Sequence, residues 1–174
     1  MADNRRKQTK RQIENALARL LLQENFNKIT TQQIAQEAGI SRGGFYNHFH
    51  DKYDLVDQYQ KRIFFYLDTL FTQEDKLEDI ILTALTFMLD EPLAAALLSP
   101  AGTYELQLYL VGKFKQVLTH ELPNLPIGKA LTGIEFDYAL NYFSYAYLGF
   151  IQTWIINGQK ESPEKLTQLL LKLR

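Results

Sequence analysis

Arg42, Tyr46 and Asn47 stand close together in the run Ser41-Arg42-Gly43-Gly44-Phe45-Tyr46-Asn47-His48-Phe49. They offer a guanidinium, a phenol and an amide, which are hydrogen-bonding groups rather than nucleophiles. Phe45 and Phe49 are four apart and share one face of a helix. Gly43 and Asn47 then point away from that face, flanked by Gly44 and Tyr46, with Arg42 at the start. Two glycines cost a helix roughly 1 kcal/mol each against alanine. A helix kept only for folding has no use for them on its exposed side. A helix that presses its backbone against another surface does. The chemistry expected of this face is hydrogen-bonded recognition inside a DNA groove.

Enzyme chemistry finds no such support. The chain has no cysteine and three histidines. His48 and His50 are two apart and diverge on a helix rather than share a metal. His120 stands alone. No Ser/His/Asp, metal-binding or phosphate-cradling motif is present, so no enzyme activity, metal or cofactor is expected. The lack of cysteine excludes a disulfide framework and suits a reducing cytoplasm, the expected location. No apolar run is long enough to span a bilayer. The first residues, MADNRRKQTKRQ, lack the apolar core of a signal peptide.

Charge is uneven along the chain. Residues 1–52 carry nine Lys/Arg against five Asp/Glu, a charge of +4, and the remainder carries ten against fifteen, a charge of −5. A basic front end on an acidic body fits phosphate contact at the front only. Residues 1–11, with Arg5, Arg6, Lys7, Lys10 and Arg11, read as a flexible basic arm.

The elements that must hold the Ser41–Phe49 run are legible on both sides of it. Ile13, Leu17, Leu20 and Leu21 form the stripe of a first helix from about Thr9 to Gln23. Thr30 or Thr31 can cap a second, with Ile34 and Ala38 on its buried face. Gly39 supplies the left-handed turn, Ile40 seals it and Ser41 caps the third helix. Asp51 caps a fourth, from about Lys52 to Phe71. Lys52 in that first turn opposes the helix dipole unless an anion lies nearby. A fifth helix spans Glu74–Asp90. Pro92 opens an Ala/Leu segment through Leu98, and Ser99–Gly102 breaks it. A helix follows over Tyr104–Leu122. Leu131–Asn157 is a long helix of about 40 Å, apolar nearly all round, so it needs cover on more than one side. Ala139, Ala146 and Gly149 would let a partner helix approach it. Ser162 and Pro163 start the last helix, with Leu166, Leu169, Leu170 and Leu173 as its stripe.

The run Thr30-Thr31-x-x-Ile34-Ala35-x-x-Ala38-Gly39-Ile40-Ser41 is followed by Gly43-x-Phe45-Tyr46-x-x-Phe49-x-x-Lys52-x-x-Leu55. Over Arg6–Leu55 these blocks resemble the DNA-binding segment of TetR-family transcriptional regulators. The resemblance implies an all-α chain with a three-helix helix-turn-helix domain at 1–52 and a helical effector-binding and dimerisation domain at 53–174. It implies phosphate contacts by Thr31, Tyr46 and Lys52, and contacts to bases or nearby backbone by Gln32, Ser41, Arg42, Gly43, Asn47 and His48. Arg42 suits a guanine edge and Asn47 an adenine. Gly44 departs from the usual pattern of a methyl- or hydroxyl-bearing residue there. The resemblance also implies a homodimer through about 131–157 and 163–173, on a palindromic operator of double-stranded DNA.

The function expected is a repressor released by a small-molecule effector bound in the C-terminal domain. Its candidate lining is aromatic: Tyr66, Phe87, Tyr104, Tyr109, Tyr142, Phe143, Tyr147, Phe150 and Trp154. Each of these also suits plain core or dimer interface. The competing expectation is a DNA-bound activator or co-activator whose acidic, tyrosine-rich C-terminal domain binds a partner protein.

Overall fold

The computed structural model describes residues 2–70 and 77–173 of the 174-residue chain. Among them there are helices and no strand. The chain forms two compact units, residues 1–65 with 91–103 and residues 66–90 with 104–174. A division at residue 52 marks where the expected DNA-binding motif ends. The packing units follow other bounds.

The first unit holds α1 (Ala2–Leu21), α2 (Thr31–Glu37), α3 (Arg42–Tyr46), most of α4 (Lys52–Leu70) and α6 (Pro92–Leu98). Its core gathers Ile13, Leu17, Phe26, Ile29, Ile34, Phe45, Phe49, Leu55 and Tyr59, all at most 5% exposed. Every residue of Leu93–Leu98 is buried, and α6 packs on α1. A polar seam crosses this core. Arg62 donates to both carboxylate oxygens of Glu14 at 3.1 Å and stacks 4.8 Å from the Tyr59 ring centroid. Tyr59 donates its hydroxyl to Glu91 (3.1 Å), and Gln60 donates to Thr103 (2.8 Å). Burial pushes Glu14 above the usual carboxylate range, with Arg62 pulling the other way. The residue 91–103 segment is thus held to this unit by polar contacts as well as apolar ones.

The second unit holds the end of α4, α5 (Leu77–Asp90), α7 (Tyr104–Glu121), α8 (Ile134–Ile156) and α9 (Pro163–Lys172). Here α7 packs on α8, and α5 packs on α9. Leu85, Leu106, Leu110, Phe114, Ile151, Trp154 and Leu166 are among its buried residues. Ser162 caps α9 by accepting from Lys165 N–H, with Pro163 at the first helical position. Trp154 lies across that junction, its indole N–H donating to Glu161 C=O at 3.0 Å.

The structure corrects two sequence expectations. The basic N-terminus is the start of α1 rather than a flexible arm. Its Arg, Lys and Gln residues are good helix formers, and no glycine or proline interrupts residues 2–21. Next, α8 starts at Ile134, not Leu131, because Gly133 adopts φ +50°. Within its own chain one face of α8 is covered, as expected from the sequence for a single copy. Ser144, Tyr147, Leu148, Ile151, Trp154 and Ile155 are buried, whereas Ile134, Tyr138, Tyr142 and Ile156 are 66–71% exposed. The expected start of the fifth helix at 74–76 and the expected end of the fourth at 71 lie outside the described residues.

Phe45 is fully buried where α1, α2 and α3 meet. Phe45→Ala is expected to cost about 3–5 kcal/mol. Urea titration followed by circular dichroism should show an early loss of helix. The fluorescence of Trp154, the single tryptophan, lies in the other unit and should report a separate transition.

Candidate nucleic-acid interface

The interface is built from the turn that precedes it. Thr30 caps α2 by accepting from Gln33 N–H at 3.2 Å, and Gln33 Oε1 accepts from Thr30 N–H at 2.7 Å. This reciprocal pair satisfies two otherwise free donors. At the other end Gly39 takes φ +69°, a conformation that costs a β-carbon dearly. Ile40 N–H then returns to Ala35 C=O (3.0 Å), and Ser41 Oγ accepts from Gly44 N–H (3.0 Å) to cap α3. Arg19 donates to Glu37 Oε1 at 2.5 Å and to its backbone carbonyl at 3.1 Å, tying α1 to the end of α2.

With Phe45 and Phe49 sunk in the core, the opposite side of this segment faces solvent. Gln32, Ser41, Arg42, Gly43, Tyr46 and Asn47 are exposed, and Thr31 and His48 are half-buried. Arg42 lies over Tyr46, its Cζ 5.7 Å from the ring centroid and its Nη2 3.4 Å from the hydroxyl. The two glycines are not equivalent. A β-carbon on Gly43 would meet only Ser41 Oγ, at 3.9 Å. One on Gly44 would sit 3.3 Å from Ser41 Oγ and 3.6 Å from Ile40 Cβ. Gly44 therefore faces the capped turn, and only Gly43 lacks an internal reason to be glycine.

His48 Nδ1 is buried and has no hydrogen-bond partner. Burial, together with the cations of Arg6 and Lys10, holds the imidazole below the ordinary histidine range. Both influences favour the neutral imidazole. Lys10 lies 5.1 Å from the centroid of Phe49 and donates to Gln58 at 2.9 Å. The first turns of α1 thus bring positive charge beside the end of the exposed segment. Arg5, Arg6, Lys7 and Arg11 are exposed there.

Lys52, expected at a phosphate, is turned inward in this structure. It is 8% exposed, and its ammonium donates to Phe26 C=O (2.8 Å), Asn27 C=O (3.0 Å) and Ile29 C=O (2.7 Å). The rings of Phe26 and Tyr53 lie 4.8 and 5.2 Å away. The start of α4 needs no outside anion either, because Asp51 accepts from the N–H groups of Tyr53 and Asp54, both at 2.8 Å. Nothing in the motif's spacing distinguishes a lysine aimed at DNA from one aimed inward at carbonyls.

The nine aromatics that are candidates for an effector lining have different surroundings. Tyr66 stacks on Phe87 with centroids 4.3 Å apart. Tyr109 donates to Asp68 Oδ1 at 2.5 Å, and Lys113 pairs with the same oxygen. Tyr147 and Trp154 are core, Tyr147 lying edge-on to Phe114. Phe143 and Phe150 are half-buried, while Tyr104 and Tyr142 are 63% and 70% exposed. The seam of Glu14, Tyr59, Arg62 and Glu91 escaped sequence reasoning. One signal was available: Glu14 lies seven residues before Leu21 and so falls on the apolar face of α1. Among the described residues no group of three His, Asp or Glu side chains is placed to hold a metal.

Known proteins resemble this chain. A family model described as bacterial regulatory proteins, tetR family, matches residues 13–59. A second, described as a transcriptional regulator C-terminal region, matches residues 75–174. An uncharacterized HTH-type transcriptional regulator of Bacillus subtilis strain 168, YxbF, is 24% identical over 173 residues. The match takes in 93% of this chain but 43% of the relative, so the chain spans less than half of that protein's length. A TetR transcriptional regulator from Streptococcus agalactiae 2603V has a similar structure, with a TM-score of 0.62 at 21% identity over 99% of this chain and 96% of its own. FadR of Bacillus subtilis, solved with stearoyl-CoA, gives a TM-score of 0.61 at 16% identity over 93% of this chain and 95% of its own. At these identities the two structures show the fold alone.

The open space at Gly43 separates folding from binding. Gly43→Ala is expected to raise stability by about 0.4–1 kcal/mol, read by thermal or urea unfolding. The same substitution is expected to weaken duplex binding in a gel-shift or anisotropy titration. Unchanged duplex affinity would remove Gly43 from the interface.

Proposed function

Since the chain belongs to the TetR family of bacterial transcriptional regulators, whose models match residues 13–59 and 75–174, we propose that this DNA-binding regulator is a homodimeric repressor. It would leave a palindromic operator when a small molecule binds the C-terminal region. The observation that carries the reading is the solvent-facing row Ser41, Arg42, Gly43, Tyr46 and Asn47, mounted on a pair of buried phenylalanines. Thr31 and Tyr46 bring hydroxyls to the phosphates, which position the unit. Arg42 offers a fork for guanine, Asn47 an amide for adenine, and Gln32 and His48 further donors.

Self-association is supported by the outer face of α8. Ile134, Tyr138, Tyr142, Tyr145, Ala146, Gly149 and Ile156 are exposed at helical spacing, and Leu169 and Leu173 of α9 are exposed as well. A second copy of the same face would cover these rings with an isologous contact. It would also pair two recognition helices about one DNA turn apart or wider. The proposed effector site is in the second unit, whose Tyr66–Phe87 stack and whose Tyr109–Asp68–Lys113 group are the candidates for its lining. The FadR neighbour was solved with an acyl-CoA, and an effector with an apolar body and a polar head suits such a lining. Among the described residues no single helix is long and apolar enough to cross a membrane. The proposed place of action is on DNA in the cytoplasm.

Selection of the purified protein against a random duplex library at moderate salt should recover a two-fold symmetric site. Arg42→Ala and Asn47→Ala should each relax base preference at particular positions, at about 1–3 kcal/mol per lost contact. Enrichment of asymmetric sites, or of none, would count against a dimeric sequence reader. Tyr138→Asp with Tyr142→Asp should shift the protein to monomer in sedimentation velocity and weaken binding to the full palindrome far more than to a half-site.

A further inference from the structure

We propose that Lys52 is a positioning residue that acts on DNA through the 26–29 turn and makes no phosphate contact of its own. The role rests on the DNA-binding reading above; the cage itself does not. An ammonium has three hydrogens. Three carbonyl oxygens at 2.7–3.0 Å, those of Phe26, Asn27 and Ile29, account for all of them. Phe26 and Tyr53, edge-on to each other at 5.6 Å, put ring surface within 5.2 Å of the nitrogen. A phosphate could reach Lys52 only after this cage opened, with carbonyls of the turn left unpaired.

The cage sits where it sets binding geometry. Phe26 N–H donates to Ala101 C=O at 3.0 Å, and Asn25 Oδ1 accepts from Asn27 N–H at 3.1 Å, which fixes one end of the turn. At the other end the Ile29 carbonyl, held by Lys52 at 2.7 Å, belongs to the peptide that leads into Thr30. Thr30 is the cap of α2, and Thr31 and Gln32 are its first two residues. Lys52 is itself the first residue of α4. One side chain therefore locks the start of α4 to the start of α2, and Thr31 and Gln32 are presented to DNA from that lock.

Three measurements test this on the full chain. In reductive methylation of the free protein, read by mass spectrometry, Lys52 should resist labelling while exposed Lys28, in the same turn, reacts. Labelling of Lys52 as fast as Lys28, with protection appearing only on DNA, overturns the proposal. Lys52→Met should weaken duplex affinity of the folded protein about tenfold or more and leave the salt dependence of binding at the wild-type slope. Loss of one phosphate contact would lower that slope by about 0.9, and such a drop overturns the proposal. Thr31→Ala should cost clearly less in the Lys52→Met background than in the wild type, because the lock through which Thr31 is placed is already gone. Strictly additive losses mean that Lys52 serves stability alone. If the wild type binds no duplex, the DNA reading and this role fall together, while methylation still decides whether the cage exists.

Discussion

Five residues of helix make too few hydrogen bonds to stand by themselves, and α3, from Arg42 to Tyr46, is five residues long. Its direction is imposed from outside. Phe45 and Phe49 anchor it in the core, the two rings 5.7 Å apart. Gly39 sets the angle of entry by its positive φ, and Ser41 closes the first turn. The outward side chains are then free of any folding duty. Arg42 and Asn47 can be chosen for what they meet, because the phenylalanines and the glycine already determine where they point. The separation explains how so short an element can carry exposed polar groups and a glycine without internal justification.

Much of this was legible before any coordinates. The rings at i and i+4, a threonine cap at Thr30 or Thr31 and the glycine turn are local signals, each enforced by the chemistry of adjacent residues. Helix order was equally plain from apolar spacing. What spacing could not reveal was the destination of long polar side chains. Lys52 reaches carbonyls 23 to 26 residues earlier in the chain. Arg62 reaches Glu14 across 48 residues. A lysine at a helix start looks the same in sequence whether it faces a phosphate or a ring of carbonyls. The aromatic residues fared likewise, since Tyr142 and Tyr147 differ by five positions on one helix and end with opposite exposure.

The first unit accommodates its polar groups in a way that bears on how it can move. Glu14 and Lys52 are both below 9% exposed, yet neither depends on the other. Lys52 is satisfied by backbone, and Glu14 by a guanidinium that also covers the Tyr59 ring. Removing one partner of such an arrangement leaves a buried charge or carbonyl unpaired, which costs more than the contact itself contributes. Polar ties of this kind resist small displacements and then give way together. The segment 91–103 is fastened to α4 by two of them, Tyr59 to Glu91 and Gln60 to Thr103. It is flanked in sequence by α5 and α7 of the second unit.

That order along the chain bears on the proposed regulation. The backbone passes between the units three times, once within α4 and once at each end of the 91–103 segment. A ligand that binds one conformation of the second unit better than another can shift the first only by as much as that difference in affinity. All three crossings lead to residues of the first unit that are tied to one another. α4 begins at the Lys52 cage and continues through Tyr59, Gln60 and Arg62, which hold Glu91, Thr103 and Glu14. A change at either end of the 91–103 segment and a change in α4 therefore act on one bonded network. This network reaches the start of α2 through Ile29 and the first helix through Glu14. In the proposed dimer, a first unit displaced as a whole would alter the distance between two recognition helices, the quantity to which a palindromic site is sensitive.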